Sequence, residues 1–178
     1  MKATGIVRRI DDLGRVVIPR ETRRALRIKE GDPLEIFIED GGVILKKYRP
    51  FQDLMEFSEK YAESLHKTSG HICFITDRDT IISVNGTSKR DFLEKPISEK
   101  LENIIDERHL FITNTEQINI VNGQSLNFHS IIIKPIMSEG ETCGSVILAS
   151  TVNNIVFGEV EIKLVENAAD FLGKQLED

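Results

Sequence analysis

Ala3-Thr4-Gly5-Ile6-Val7-Arg8-Arg9-Ile10-Asp11-Asp12-Leu13-Gly14-Arg15-Val16-Val17-Ile18-Pro19 opens the chain, and Arg20 to Lys29 follows directly. Thr4 to Ile10 and Arg15 to Ile18 carry β-branched residues and read as two short strands. Asp11-Asp12-Leu13-Gly14 turns the chain between them. Pro19 stops the second strand and suits the first turn of a helix, where its missing N–H costs nothing. That helix is expected from Arg20 to about Lys29, with Gly31 as its stop. Arg20, Arg23, Arg24 and Arg27 fall at i, i+3, i+4 and i+7, which places four guanidiniums on one helical face. Thr22, Ala25 and Leu26 fall on the other side, available for a core. Pro33 to Glu39 then alternates, with Leu34, Ile36 and Ile38 facing one way, and Asp40-Gly41-Gly42 turns the chain into Val43 to Tyr48.

Working outward, the 178 residues carry a net charge of −6, with 40% hydrophobic and 29% charged residues. That composition is globular rather than disordered. The charge is divided unevenly. Residues 1–50 hold 12 basic and 8 acidic side chains, a net of +4, and the remaining 128 hold 11 and 21, a net of −10. Glu21 is the one acid within residues 20–29, so pairing along the helix cannot neutralise the arginines. Arg8, Arg9 and Arg15 add to the same basic concentration. Clustered like charges repel unless a polyanion offsets them, and arginine suits bidentate phosphate and guanine contacts. A 50-residue block of four short strands and one helix has difficulty closing a core alone. Pairing of two copies would close it and give the basic surface two-fold symmetry.

Arg49-Pro50 marks a join. A helix is expected from Phe51 to about His66, with Phe51, Leu54, Met55, Tyr61, Ala62 and Leu65 toward one side. His71 to Thr76 and Thr80 to Val84 read as a hairpin. Ile97 to Glu107 reads as a helix with Ser98 as N-cap. Gln117 to Val121, Phe128 to Met137 and Thr142 to Ser150 read as strands, and Glu159 to about Leu176 as a closing helix. The whole is an α+β arrangement with an antiparallel sheet flanked by helices. In the last helix Ile162, Val165, Ala169, Leu172 and Leu176 repeat at 3, 4, 3 and 4, widened by Val160, Leu164, Ala168 and Phe171. That stripe fits a helix–helix seam between copies.

Residues 3–19, with Glu21 to Ile28, Gly31 to Ile36 and Gly42 to Tyr48, closely resemble the opening of AbrB-type transition-state regulators. The resemblance covers about residues 1–50. It implies a dimeric swapped-hairpin β-barrel that binds double-stranded DNA, with its contacts on Arg8, Arg15, Arg23 and Arg24. The charge pattern adds Arg9, Arg20 and Arg27. Residues 51–178, through His71 to Asp77, Lys134-Pro135-Ile136 and Cys143 to Leu148, resemble a GAF-like domain. The two-domain order is similar to sporulation regulators of spore-forming Firmicutes. It implies an activator and repressor of late, forespore-expressed genes. It also implies a homotetramer joined through the GAF-flanking helices. The second domain either senses a small molecule or only oligomerises.

Other chemistries are less well supported. No apolar run approaches the roughly 20 residues that span a bilayer, and no signal-peptide core follows Met1, so a cytoplasmic protein is expected. His66, His71, His109 and His129 are dispersed, with His66 and His71 near enough in sequence to meet, and no metal or cofactor is expected. Cys73 and Cys143 lie in apolar strand candidates and read as buried structural thiols. That pair makes a GAF-type thiol-dependent reductase the weaker alternative, and no other enzyme signature is present. An AbrB-like antitoxin is a further alternative, although the periodic second half is unlike a disordered toxin-binding tail.

Overall fold

The computed structural model describes residues 5–48 and 55–177. The expected strand residue Thr4, the Arg49-Pro50 join, and Phe51 and Leu54 of the expected helix stripe lie outside the described residues. The chain divides into two compact units, Met1–Tyr48 and Arg49–Asp178.

In the first unit α1 (Arg20–Ala25) precedes an antiparallel hairpin of β1 (Leu34–Glu39) and β2 (Gly42–Lys47). Asp40 and Gly41 turn that hairpin with positive φ angles of 49° and 74°, the geometry of a tight two-residue connection. The two expected strands on either side of Asp11 are not formed: residues 5–19 carry no strand. Strand propensity is mainly the fit of side chains to a paired and packed surface, and the described residues offer these segments none. The helix is also shorter than its periodicity suggests. It closes at Leu26, and Arg27 turns left-handed with φ 52°. None of the described residues 5–48 is buried. Thr22 is half-buried, while Ala25 and Leu26, expected in a core, are exposed.

The second unit is a five-stranded antiparallel sheet in the order β4-β3-β7-β6-β5. Its strands are β3 (Ile72–Asp77), β4 (Ile81–Asn85), β5 (Phe111–Thr113), β6 (Ser130–Ser138) and β7 (Glu141–Ser150). Alternation along β6 sends Ile131 and Ile133 to one face and Ile132 to the other. The first face is filled by Phe74, Phe92 and Phe128, by Leu101, Ile104 and Ile105, and by Ile118 and Ile120. These come partly from α3 (Lys89–Phe92) and α4 (Glu99–Asp106). Ser98 caps α4, its hydroxyl accepting from the Leu101 N–H at 3.1 Å. The second face is covered by α2 (Met55–Ser69) and α5 (Glu159–Gln175), through Ala62, Leu65, Val165, Ala168, Ala169 and Leu172.

The expected strand at Gln117 to Val121 is a loop instead. Ile118, Ile120 and Val121 are buried, but pairing is limited to one isolated bridge between Val121 and Ile97, and the Ile120 and Val121 N–H groups donate to Gln124 Oε1 at 2.8 and 3.4 Å. A side chain has met the backbone's demand for partners. The sheet's fifth strand is β5, too short to announce itself.

Candidate nucleic-acid interface

The site is built on the turn before α1 and on α1 itself. Asp11 organises the turn. Its Oδ1 accepts from the Leu13 and Arg15 N–H groups at 3.0 and 2.8 Å. The Arg15 carbonyl accepts from the Asp11 N–H at 3.0 Å, and the Asp11 carbonyl from the Gly14 N–H at 3.0 Å. Gly14 is left-handed at φ 76°, a conformation glycine adopts without strain. Asp11 Oδ2 accepts from Arg15 Nε at 2.8 Å. The Arg15 N–H and then its guanidinium hold the Asp11 carboxyl below the usual carboxylate range. The pair therefore stays ionised at neutral pH and weakens only as acid protonates Asp11.

Arg8, Arg9, Arg15, Arg20, Arg23, Arg24 and Arg27 are all exposed. Arg20, Arg23 and Arg24 share one side of α1, as their spacing requires. Arg27 does not join them through the helix, because the chain has already left it. Arg15 is the one with a carboxylate partner. Among the described residues, the other six make no ion pair. The helix is tied to the hairpin by Lys47. Its ammonium lies 3.1 Å from a nearly buried Asp32 carboxylate and donates to the Arg27 carbonyl at 3.3 Å. Neither this tie nor the Asp11 clamp is apparent from charge counting, although an acid four residues before an arginine in a turn is a signal that could have suggested the second.

The first unit also carries exposed apolar side chains. Ile36 stands opposite Leu45, and Ile38 opposite Val43, on one face of the hairpin. Ile38 is 84% exposed and Val43 70%. Val7, Ile10, Leu13, Val16 and Val17 are exposed as well. Isolated exposed apolar residues are ordinary, but a paired set on a unit with no buried residue among those described marks a contact surface.

The second unit corrects the expected seam. Val165, Ala169 and Leu172 are buried within their own domain, with Ile162 and Leu176 packed beside them. Val165, Ala169 and Leu172 therefore seat α5 on the sheet, while Ile162 and Leu176 stay half-buried. Gly173 marks the contact: a Cβ there would stand 2.1 Å from the Met137 carbonyl oxygen. The outward side of α5 instead carries Val160 and Phe171. Phe171 stacks on Tyr61 of α2 at 5.6 Å between centroids and meets Phe57 of α2 at 5.7 Å in a tilted arrangement.

Cys73 is buried, and burial pushes its thiol pKa up. Cys143 is half-buried rather than buried; burial is again the main cause of its raised pKa. His66 Nδ1 meets the His71 carbonyl at 2.7 Å, a structural contact. Among the described residues, no group of three or more histidine, cysteine or acidic side chains is placed to hold a metal. No described helix is long and apolar enough to cross a membrane. A cavity of about 180 Å³ opens beside α3, lined by Thr87, Asp91, Phe92, Lys95 and the loop from Val121 to Leu126.

Comparison with known proteins fits this two-part architecture. Residues 53–177 match the family described as "Stage V sporulation protein T C-terminal, transcription factor". Residues 7–53 match "Antidote-toxin recognition MazE, bacterial antitoxin". Stage V sporulation protein T of Bacillus subtilis is 51% identical over 179 residues, covering 99% of each chain. The transition state regulatory protein AbrB of the same organism is 49% identical over 72 residues, which is 40% of this chain and 75% of AbrB. Among solved structures, the GAF domain of an Acinetobacter phosphoenolpyruvate-protein phosphotransferase is similar with a TM-score of 0.60 at 10% identity. It covers 69% of this chain and 81% of that one, a likeness of fold.

Proposed function

The chain belongs to the stage V sporulation protein T family of transcription factors, and on that premise we propose that it is a sequence-specific regulator binding double-stranded DNA through its first unit. The observation that carries this reading is the set of exposed arginines on residues 5–48, all but Arg15 without a carboxylate partner among the described residues. Arg8, Arg15, Arg23 and Arg24 make the principal contacts, with Arg9, Arg20 and Arg27 around them. Two copies pair through the bare hairpin face and the residue 5–19 segment, whose missing strands a second chain supplies as a swapped-hairpin barrel. The divisions at about residue 50 then separate DNA binding from regulation.

The second unit holds two such dimers together as a tetramer. Its seam is the outward aromatic side formed by Phe57, Tyr61 and Phe171, in place of the buried stripe. Linking two heads raises affinity through effective concentration. The cavity beside α3 offers a place for a small-molecule ligand. Late, forespore-expressed genes of a spore-forming bacterium are the targets, activated or repressed by promoter, within the cytoplasm. Catalysis is not part of the reading. A thiol-dependent reductase needs an accessible thiolate, and burial opposes one at Cys73. An antitoxin reading rests on the residue 7–53 match alone and leaves the folded second unit without a role.

Selection of bound duplexes from random DNA by the full chain, repeated across a salt series, tests the proposal. Enrichment of a shared, two-fold-related motif supports it. Binding without enrichment, or none at low salt, overturns it.

A further inference from the structure

We propose that Asp11 is a specificity-determining positioning residue, which clamps Arg15 so that this arginine reads a base edge while the unpaired arginines hold phosphates. The inference rests on the DNA-binding reading above and assigns roles within it.

The geometry separates two tasks on one carboxylate. Oδ1 serves the turn, accepting from the Leu13 and Arg15 N–H groups. Oδ2 serves the side chain, accepting from Arg15 Nε at 2.8 Å. A guanidinium has five N–H donors in a rigid plane. Engaging Nε fixes that plane and leaves the four terminal N–H groups unspent. Arg15 is 70% exposed in its side chain, so that terminal edge faces outward. Two parallel donors held in this way match the O6 and N7 acceptors of guanine.

Charge alone argues that Asp11 should not be there. A carboxylate at this distance repels phosphate and offsets part of the attraction Arg15 offers to any backbone. Arg8, Arg23 and Arg24 carry no such partner among the described residues. A residue that lowers general attraction while fixing one donor pair improves discrimination, not affinity. Phosphate contacts position a protein on DNA and base contacts select the sequence. The carboxylate thus marks which of the four principal arginines is the reader.

Asp11→Asn separates the tasks. The amide oxygen still accepts from Leu13 and Arg15 N–H groups, but the amide nitrogen cannot accept from Nε. Full-length wild type, Asp11→Asn, Arg15→Ala and the double variant are titrated with a duplex recovered by selection and with a scrambled duplex of equal length, at one salt concentration. Circular dichroism checks the fold. Asp11→Asn is expected to lower the selected-to-scrambled affinity ratio by at least about fivefold, the low end of one bidentate base contact. Its affinity for scrambled DNA should stay equal or rise. In the Arg15→Ala background the same substitution should leave the ratio unchanged.

An unchanged ratio for Asp11→Asn, with Arg15→Ala lowering it, overturns the clamp and leaves the DNA-binding reading intact. An equal loss on both duplexes, or a loss that persists without Arg15, assigns Asp11 to turn building and overturns the proposal. No effect of Arg15→Ala on either duplex removes Arg15 from the interface and the inference with it.

Discussion

Replacing Arg23 and Arg24 together by alanine should flatten the salt dependence of DNA binding by a calculable amount. Both side chains are exposed, α1 buries none of its residues, and alanine is the best helix former. The fold therefore has little reason to respond. Each phosphate neutralised adds about −0.9 to the slope of log K against log salt. With Arg15 assigned to a base, Arg8, Arg23 and Arg24 of two chains neutralise about six phosphates, for a slope of about −5.4. The double variant loses four of those contacts, so the slope should fall by about 3.6, to about −1.8. That fall is independent of what Arg9, Arg20 and Arg27 contribute. Between 50 and 200 mM salt, wild type should then lose about 2,000-fold in affinity and the variant about twelvefold. Fluorescence anisotropy with a labelled duplex at five or more salt concentrations measures both slopes. A slope unchanged to within one unit, in a variant with native circular dichroism, would refute the assignment of these arginines to phosphate.

Three further perturbations address assembly and the second unit. Ile38→Lys alters a side chain already 84% exposed in one chain, so an isolated monomer should tolerate it. If that face seats a second copy, sedimentation should show a lower assembly mass, and an unchanged mass would count against the hairpin interface. Gly173→Ala drives a methyl group against the Met137 carbonyl and should cost about 1–3 kcal/mol as an overpacking change. The melting temperature should drop by about 3–10 °C, whereas Gly158→Ala, with its nearest neighbour at 3.9 Å, should shift it far less. Cys143 should react with a disulfide reagent in the native protein, more slowly than a free thiol at neutral pH because burial raises its pKa and lowers its thiolate fraction. Cys73 should react only on unfolding; two equally fast native thiols would contradict its burial.

Much of the second unit was legible because its signals are local. Ser98 announces the start of α4 through a hydroxyl that does cap it, and Glu139-Gly140 turns β6 into β7 with positive φ at both residues. The Gln117 to Val121 segment alternates without forming a strand, because alternation reports burial on one side; here one bridge to Ile97 and the Gln124 side chain take the place of a ladder. In the first unit, the composition of residues 4–18 is strand-like, yet residues 5–19 form none within one chain. Strand propensity is mainly the fit of side chains to a covered, paired surface. The concentration of exposed arginines is legible in the sequence, but the Asp11–Arg15 ion pair within it is not. Charge counting treats Arg15 and Arg23 alike, whereas the position of Asp11 distinguishes them.

The stripe on α5 shows why periodicity alone cannot say what covers a helix. Ile162, Val165, Ala169, Leu172 and Leu176 repeat like a coiled-coil seam, and a seam between copies would leave them exposed in one chain. They are instead packed with Ile75, Ile132, Ile136, Val146 and Leu148 of the sheet. The sequence does contain a discriminating residue. Glycine inside a helix costs about 1 kcal/mol against alanine, so Gly173 needs a reason, and the Met137 backbone pressing on it supplies one. A helix–helix seam built from large side chains has no need of such a bare position. On the hairpin, no buried residue and no such close backbone approach accompanies Ile36, Ile38 and Val43. Similar apolar patterning thus closes the second unit internally and leaves the first with a face that its own described residues do not cover, which is why the Ile38 and Gly173 substitutions should part company: one acting on mass, the other on melting.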